Sequence, residues 1–475
     1  MSTKTSLLVA VVFAAASFVL PASFLVAGDL YQPISVTQMS LGEKGFLASE
    51  PSQEATESPS DATAHATAEK MAASEAVCCH GNAHRVCCRR AACDQPWTLP
   101  QPCFLQCRGI KLGGWLEQGI TTNSQGPTRR YNGPVSTNDR DGEWQINQLW
   151  FYLDRQTDGS AGLDIGGHVD MIWGTDWRFG IANGLETNIN SFDQPYGWVI
   201  PQMFVEIAYG RMKVRGGRFA GLLYYDRDQV PAVTNFFYSH SYTMAYAEPQ
   251  LVTGMMVDYA LTDQWLLQAG FTQGWYMWED LNDYKDFMGA ITWTSLDKRT
   301  KFKWALTNGR QDHLGQVDTK NWFAYDVWIQ HQFTERFTYA IQHNLGVADD
   351  ALPLTGQDAD WYTLNQYLFY KINPKWEAGA RFEWFRDDDG ARVAGPGTNP
   401  DYAGLRSWDG YGFAGNFYEI SLGLNWCPHP NLRVRPEARW DWYEGQRSWG
   451  TNDLPFGNGD ANDQFTFGCD FLLTY

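Results

Sequence analysis

Past residue 27 the chain has no run of about 20 consecutive apolar residues, the length a membrane-spanning helix needs, so a bundle of such helices is excluded. Positive charge is scarce as well: 36 Lys and Arg face 54 Asp and Glu, a net charge of −18. Without a basic surplus to neutralise phosphates and release their counterions, nucleic acid is excluded as a partner. Catalytic fingerprints are missing too. The patterns H-E-x-x-H, G-x-S-x-G and G-x-x-x-x-G-K-[ST] do not occur. Acid pairs such as Glu383 with Asp387, or Glu437 with Asp441, carry the residue types of a glycosidase, but 54 acids create such pairs by chance. Neither an enzymatic activity nor a cofactor is expected.

Aromatic residues are plentiful: 22 Trp, 23 Tyr and 27 Phe, beside 45 Gly, in 475 residues whose hydrophobic fraction is only 44%. The N-terminus reads as an export signal over residues 1–27. Lys4 supplies the positive start, Ser6 to Val26 is apolar apart from Ser and Pro21, and Ala22 and Ala27 offer cleavage points. An uncleaved anchor is the alternative. Residues 28–77, rich in Ala, Ser, Thr and Glu, have little to bury and are expected to be a disordered linker. Residues 78–109 hold seven of the nine cysteines: Cys78, Cys79, Cys87, Cys88, Cys93, Cys103 and Cys107. For an exported chain disulfides are the default, within a cap or between chains. Zinc is the rival, opposed by the adjacent cysteines and the missing C-x-x-C, and free thiols are the third reading; seven being odd, at least one thiol pairs elsewhere or stays free, and no metal site is predicted.

From residue 110 to the end, segments of about ten residues alternate in polarity and then turn, the period of strands. Leu163, Ile165, Val169, Met171 and Trp173 share one face, opposed by Asp164, His168 and Asp170. Phe465, Phe467, Cys469, Phe471, Leu473 and Tyr475 share another, opposed by Thr466, Gly468, Asp470 and Thr474. Sixteen strands are predicted, near 110–121, 144–156, 161–174, 198–209, 211–220, 251–261, 265–275, 286–295, 300–308, 321–333, 337–347, 361–372, 376–387, 416–426, 431–443 and 463–475. Long and short gaps alternate between them, as in an all-β, transmembrane, antiparallel up-and-down barrel with short periplasmic turns and long outer loops. Trp and Tyr crowd strand ends (Trp150, Tyr152, Trp173, Trp198, Tyr209, Tyr362, Tyr370, Trp426, Trp440, Trp442 and Tyr443), where amphipathic rings favour a membrane boundary. Pro201 and Pro436 sit awkwardly inside strands, because proline donates nothing to a ladder.

Several stretches resemble the putative β-barrel porin-2 family of outer-membrane proteins. They include "PWTLPQPCFLQCRGIKLGGWLEQGIT", "VRGGRFAGLLYYDRDQVPAVTNFFYSHSYTMAYAEPQLVTG", "LTDQWLLQAGFTQGWYMWED", "LNQYLFYKINPKWEAGARFEWFRDDDGARV" and "LGLNWCPHPNLRVRPEARWDWY", with the terminal "DQFTFGCDFLLTY". The resemblance covers roughly residues 96–475. It implies an outer-membrane barrel acting as a porin, and supplies no catalytic residues.

Charges at inward positions are the candidate pore lining: Asp164, His168, Asp170, Glu206, Lys213, Arg215, Lys303, Asp326, Glu377, Arg381, Glu383, Arg433, Arg435, Glu437, Arg439 and Asp441. Facing lipid, an Arg or Lys would cost about 2–4 kcal/mol at the midplane, so these groups must face water or each other. They either tune ion selectivity or brace the wall. The aromatic segment 221–250 is expected to fold inward as a constriction, led by Phe236, Phe237, Tyr238, His240 and Tyr242. Acidic runs at Glu279–Asp283 and Asp387–Asp389 are either calcium ligands or solvated surface. Phe471, Leu473 and Tyr475 form the expected assembly signal of the closing strand, which makes the barrel-assembly machinery an expected partner alongside outer-membrane lipid. The expected function is passive diffusion of small hydrophilic solutes or ions. The alternatives are a structural barrel or anchor with a plugged lumen and cysteine cross-links, or a secreted carbohydrate-active enzyme. A homotrimer is left open.

Overall fold

Side chains alternate across a strand, so each apolar–polar alternation above assigns one face outward and one inward. The computed structural model describes residues 96–475, except 183, 192–193, 281–282, 312–319, 353–355, 394–411 and 449–451. The signal, the linker, and Cys78, Cys79, Cys87, Cys88 and Cys93 lie outside the described residues. The strands are β1 Lys111–Asn123, β2 Trp144–Arg155, β3 Asp164–Gly174, β4 Gly197–Val199, β5 Met203–Tyr209, β6 Met212–Ala220, β7 Leu251–Ala260, β8 Trp265–Trp275 and β9 Asp286–Thr294. They continue as β10 Thr300–Gln311, β11 Lys320–Gln332, β12 Phe337–Ala348, β13 Ala359–Asn373, β14 Trp376–Asp387, β15 Gly415–His429, β16 Leu432–Gly445 and β17 Asp463–Thr474.

Each strand pairs antiparallel with its neighbours, and β17 returns to β1, from Trp115 opposite Thr474 to Asn123 opposite Thr466. Gly114 and Tyr475 exchange backbone hydrogen bonds of 3.0 and 2.9 Å at the seam. Closure leaves no edge whose backbone groups would be unsatisfied in hydrocarbon. The result is a closed barrel of 16 strands with one extra short strand. Connections alternate as the sequence predicts. The chain turns through Gly210 and Arg211 between β5 and β6, whereas residues 221–250 separate β6 from β7.

The extra strand is a break in the predicted 198–209 segment. β4 and β5 both run along β3, and the chain leaves regular strand at Ile200–Gln202 because Pro201 has no N–H to contribute. The Asp170 N–H still reaches the Gln202 carbonyl, at 2.8 Å, so the two pieces act as one wall strand. Pro436 stays within β16 and pairs with Cys469. On the β15 side the rungs step from Gly423–Glu437 to Trp426–Val434, past the proline.

The outward face is apolar, with Phe465 and Phe467 about half exposed and Val205, Met255, Phe271 and Leu422 more so. The aromatic ends divide. Trp198, Tyr209, Tyr370, Trp426 and Trp440 point outward, but Trp150, Tyr152 and Tyr443 are buried inside, Trp150 stacked on Trp115 with centroids 4.3 Å apart. Strand parity overrides their position along the strand.

Before β1, Trp97 exchanges hydrogen bonds with the Asn431 side chain at the β15–β16 turn (2.9 and 2.8 Å), and one helical turn, α1, spans Cys103–Gln106. Cys103 and Cys107 are exposed, and neither is bonded to another cysteine among the described residues. An α-helical turn sets them four residues apart on the surface, with no bond between them.

Candidate functional site

The third long connection, residues 221–250 (loop 3), lies inside the barrel. Phe236, Phe237, Tyr238, His240 and Tyr242 are all buried, as is Tyr225. The wall is shaped to receive three consecutive rings. A Cβ on Gly379 of β14 would come within 2.3 Å of the Phe236 ring, one on Gly423 of β15 within 3.0 Å of Phe237, and one on Gly468 of β17 within 3.0 Å of Tyr238. Phe236 also packs on Phe369, centroids 5.0 Å apart. The loop then closes into a π-helical turn over Thr243–Ala247.

Charged wall groups fasten its backbone. Glu383 accepts the N–H groups of Tyr242 and Thr243 at 2.6 and 2.7 Å, and Glu437 accepts the Ser239 N–H at 2.8 Å. The Tyr242 hydroxyl donates to Asp441 at 2.8 Å. Arginines hold the carbonyls: Arg381 donates to Ser239, Arg439 to His240, Arg435 to Ala232 and Asn235, and Arg433 to Val233 and Asn235. Arg381, Arg435 and Arg439 are each 1% exposed. Their charges are met by Glu419 for Arg381, by Asp470 and Glu117 for Arg435 (both 2.6 Å), and by Asp441 for Arg439 (2.7 Å). Glu377 pairs with Arg227 at the start of the loop, 3.2 Å apart. Within the loop, Asp228 accepts from His240 (2.8 Å) and from the Ser241 N–H (3.1 Å). Burial alone would raise its carboxyl, but the His240 hydrogen bond and charge, with Arg381 beside it, hold it down at about 2.

The remaining predicted lumen residues form smaller groups. His168 lies between Asp154 (3.1 Å) and Asp170 (2.8 Å). Glu206 pairs with Lys213 at 3.1 Å, Arg215 pairs with Asp258, Lys303 stands 3.5 Å over the Tyr224 ring, and Gln342 donates to Asp326 at 2.8 Å. Asp164 departs from the prediction: it sits half-buried at the short-turn end, 2.9 Å from Arg155. Most of these charges do not face open water. Loop 3 and neighbouring carboxylates cover them, because the aromatic segment fills the lumen that alternation alone leaves empty.

The carboxylate runs in the loops are engaged as well. Asp387 accepts four backbone N–H groups, from Gly390 to Val393, Asp388 meets Arg386, and Asp280 meets Lys285. Among the described residues no cluster of His, Cys, Asp and Glu suits a metal ion. At the long-loop end, Arg392 lies 4.7–5.4 Å from the ring centres of Trp275, Trp322 and Trp361 and donates to the Tyr246 carbonyl at 2.7 Å. It ties the start of the 388–414 connection to loop 3.

Sequence reasoning left Glu117, Glu419 and Asp470 out of the lumen charges, although strand parity carries them, as it already put Asp470 on the polar face: each lies two residues from another inward position, Trp115, Ser421 and Gly468 respectively. The loop acids Asp226, Asp228 and Glu248 and the glycine notches carry no periodic signal and emerge only from the packing.

A family described as putative beta-barrel porin-2, OmpL-like, matches residues 109–475. No curated relative matches the chain in sequence. Among solved structures, the outer membrane channel DcaP of Acinetobacter baumannii superposes with a TM-score of 0.52 at 10% identity, covering 77% of this chain and 97% of that one. OmpT of Vibrio cholerae in its trimer form gives 0.49 at 10% identity, covering 77% and 99%. An anion-selective porin from Comamonas acidovorans gives 0.47 at 8% identity, with the same coverage.

Proposed function

As the chain belongs to the putative β-barrel porin-2, OmpL-like family, we propose that it is an outer-membrane porin through which small hydrophilic solutes or ions diffuse passively. The observation that carries this reading is loop 3, seated inside a closed barrel against a wall of acidic and basic side chains. An apolar exterior with a polar interior suits a cylinder in lipid around a water path, and an inward loop sets its bore. Selectivity then comes from the loop and the charges near it, with no covalent chemistry by the polypeptide. Export by residues 1–27, delivery by the barrel-assembly machinery through the final strand, and assembly as a homotrimer complete the proposal.

Reconstitution in planar bilayers tests it: discrete conductance steps are expected, and a bilayer that stays silent at high protein density overturns the reading. A second reading, a structural barrel with a plugged lumen, draws on the burial of Arg381, Glu383, Arg435, Arg439 and Asp441 beneath loop 3. Silence, together with heat-modifiable migration showing a folded barrel, would select it.

A further inference from the structure

Loop 3 is fastened to β14–β17, but on its other side a cavity of about 30 Å³ separates it from the wall near β2 and β4–β7. Its sides are apolar, built by Trp150, Pro201, Val230, Met244 and Leu251, and two carboxylates, Asp228 and Glu248, reach it. No Lys or Arg lines it. Asp228 is committed to His240 and the Ser241 N–H. Glu248 is not so committed. Gln342 Nε2 donates to Glu248 Oε1 and to Asp326 Oδ2, both at 2.8 Å, which sets the two carboxylates side by side. The other oxygen of each, Glu248 Oε2 and Asp326 Oδ1, takes no N–H among the described residues, and the two acids hydrogen-bond each other.

A second acceptor lies on the cavity beside Glu248. Gln250 is 7% exposed, its amide nitrogen is directed at Met244, and its Oε1 has no donor. Buried acceptors without donors carry a desolvation cost that a bound donor cancels. Lys303 is a basic group whose charge acts on both acids. Asp226 is ion-paired with Lys301, which leaves Lys303 to face Glu248 and Asp326 together.

Resting on the porin reading above, we infer that this cavity is a recognition site for small ammonium cations, with Glu248 as the recognising carboxylate. A cation bearing N–H groups supplies donors to Glu248 and Gln250, which line the cavity. The apolar sides suit its alkyl part, and the Trp150 face adds cation–π attraction. Glu248 is pushed up by burial, by the neighbouring Asp326 and Asp228 and by its hydrogen bond with Asp326, with Lys303 acting against them; an opposite charge beside such a carboxyl favours its charged form.

The test is the reversal potential of reconstituted channels in a methylammonium chloride gradient. Cation preference is expected in the native chain, and Glu248→Gln, which keeps an acceptor for Gln342, should lower the cation-to-chloride permeability ratio by about threefold or more. Asp326→Asn serves as a second variant, with heat-modifiable migration confirming a folded barrel for each. Channels that prefer chloride, or folded variants that both keep the native ratio, overturn this inference alone. An absence of conductance in the native chain overturns the porin reading and this inference with it.

Discussion

Glu383 on β14 accepts the backbone N–H of Thr243 at 2.7 Å across 140 residues of sequence, so a wall carboxylate anchors the π-helical turn that closes the inward loop. It accepts the Tyr242 N–H and the Thr243 hydroxyl as well. Glu383→Ala leaves these donors buried without acceptors, at about 1–3 kcal/mol for each group. The barrel should persist while the loop loosens. The readout is noisier and larger single-channel conductance, with new protease cleavage inside residues 221–250.

Arg435 is the most heavily engaged of the wall arginines, bridging Asp470, Glu117 and two loop carbonyls. Arg435→Met leaves two buried carboxylates facing each other. Removing one partner of such a pair costs about 3–5 kcal/mol. The denaturation midpoint in detergent should fall accordingly. Replacing Arg433, Arg435 and Arg439 together should raise conductance by releasing the loop, beyond any shift of reversal potential.

The loop should also respond to acid. Asp228 titrates near 2, below the ordinary aspartate value of 3.8, so its contribution is fully present above about pH 4 and is lost as pH falls through 2. A shift of this size is worth about 2 kcal/mol. Conductance fluctuations should therefore grow between pH 4 and pH 2, and Asp228→Asn should show them already at neutral pH.

Gly379→Leu places a branched side chain where the Phe236 ring lies. Overpacking of this kind costs about 1–3 kcal/mol. Deletion of Thr234–Tyr242 removes the rings altogether. Both changes should increase single-channel conductance, the deletion more, with the barrel still heat-modifiable.

The final strand closes the cylinder, and the Tyr475 hydroxyl reaches the Trp150 carbonyl on β2 at 2.9 Å. Removing Phe471–Tyr475 opens the seam with β1 at Trp115 to Gln118. No folded barrel should be recovered from membranes. Heat-modifiable migration at native levels would contradict that.

Strand positions were legible in the sequence because lipid and lumen impose opposite polarities on alternate residues. Boundaries such as Trp265–Trp275 and Trp376–Asp387 follow from that constraint. The exception is instructive: Pro201 disturbs one strand and Pro436 leaves another intact, a difference set by which neighbour's rung is missing. The inward row from Arg433 to Asp441 was readable as a face, but not as a set of anchors, since their acceptors are loop carbonyls that any sequence supplies. Glu248 and Gln250 are ordinary polar residues in a loop, and only the missing donors around them set them apart.

Three glycine recesses and most of the fastening groups for loop 3 lie on β14–β17, about 140 to 230 residues downstream of the rings and carbonyls they hold. While the earlier strands are being laid down, the loop has no surface to dock on. Its seating must therefore be among the last events of assembly, and a truncated or stalled barrel would stand wider and leakier than the finished one.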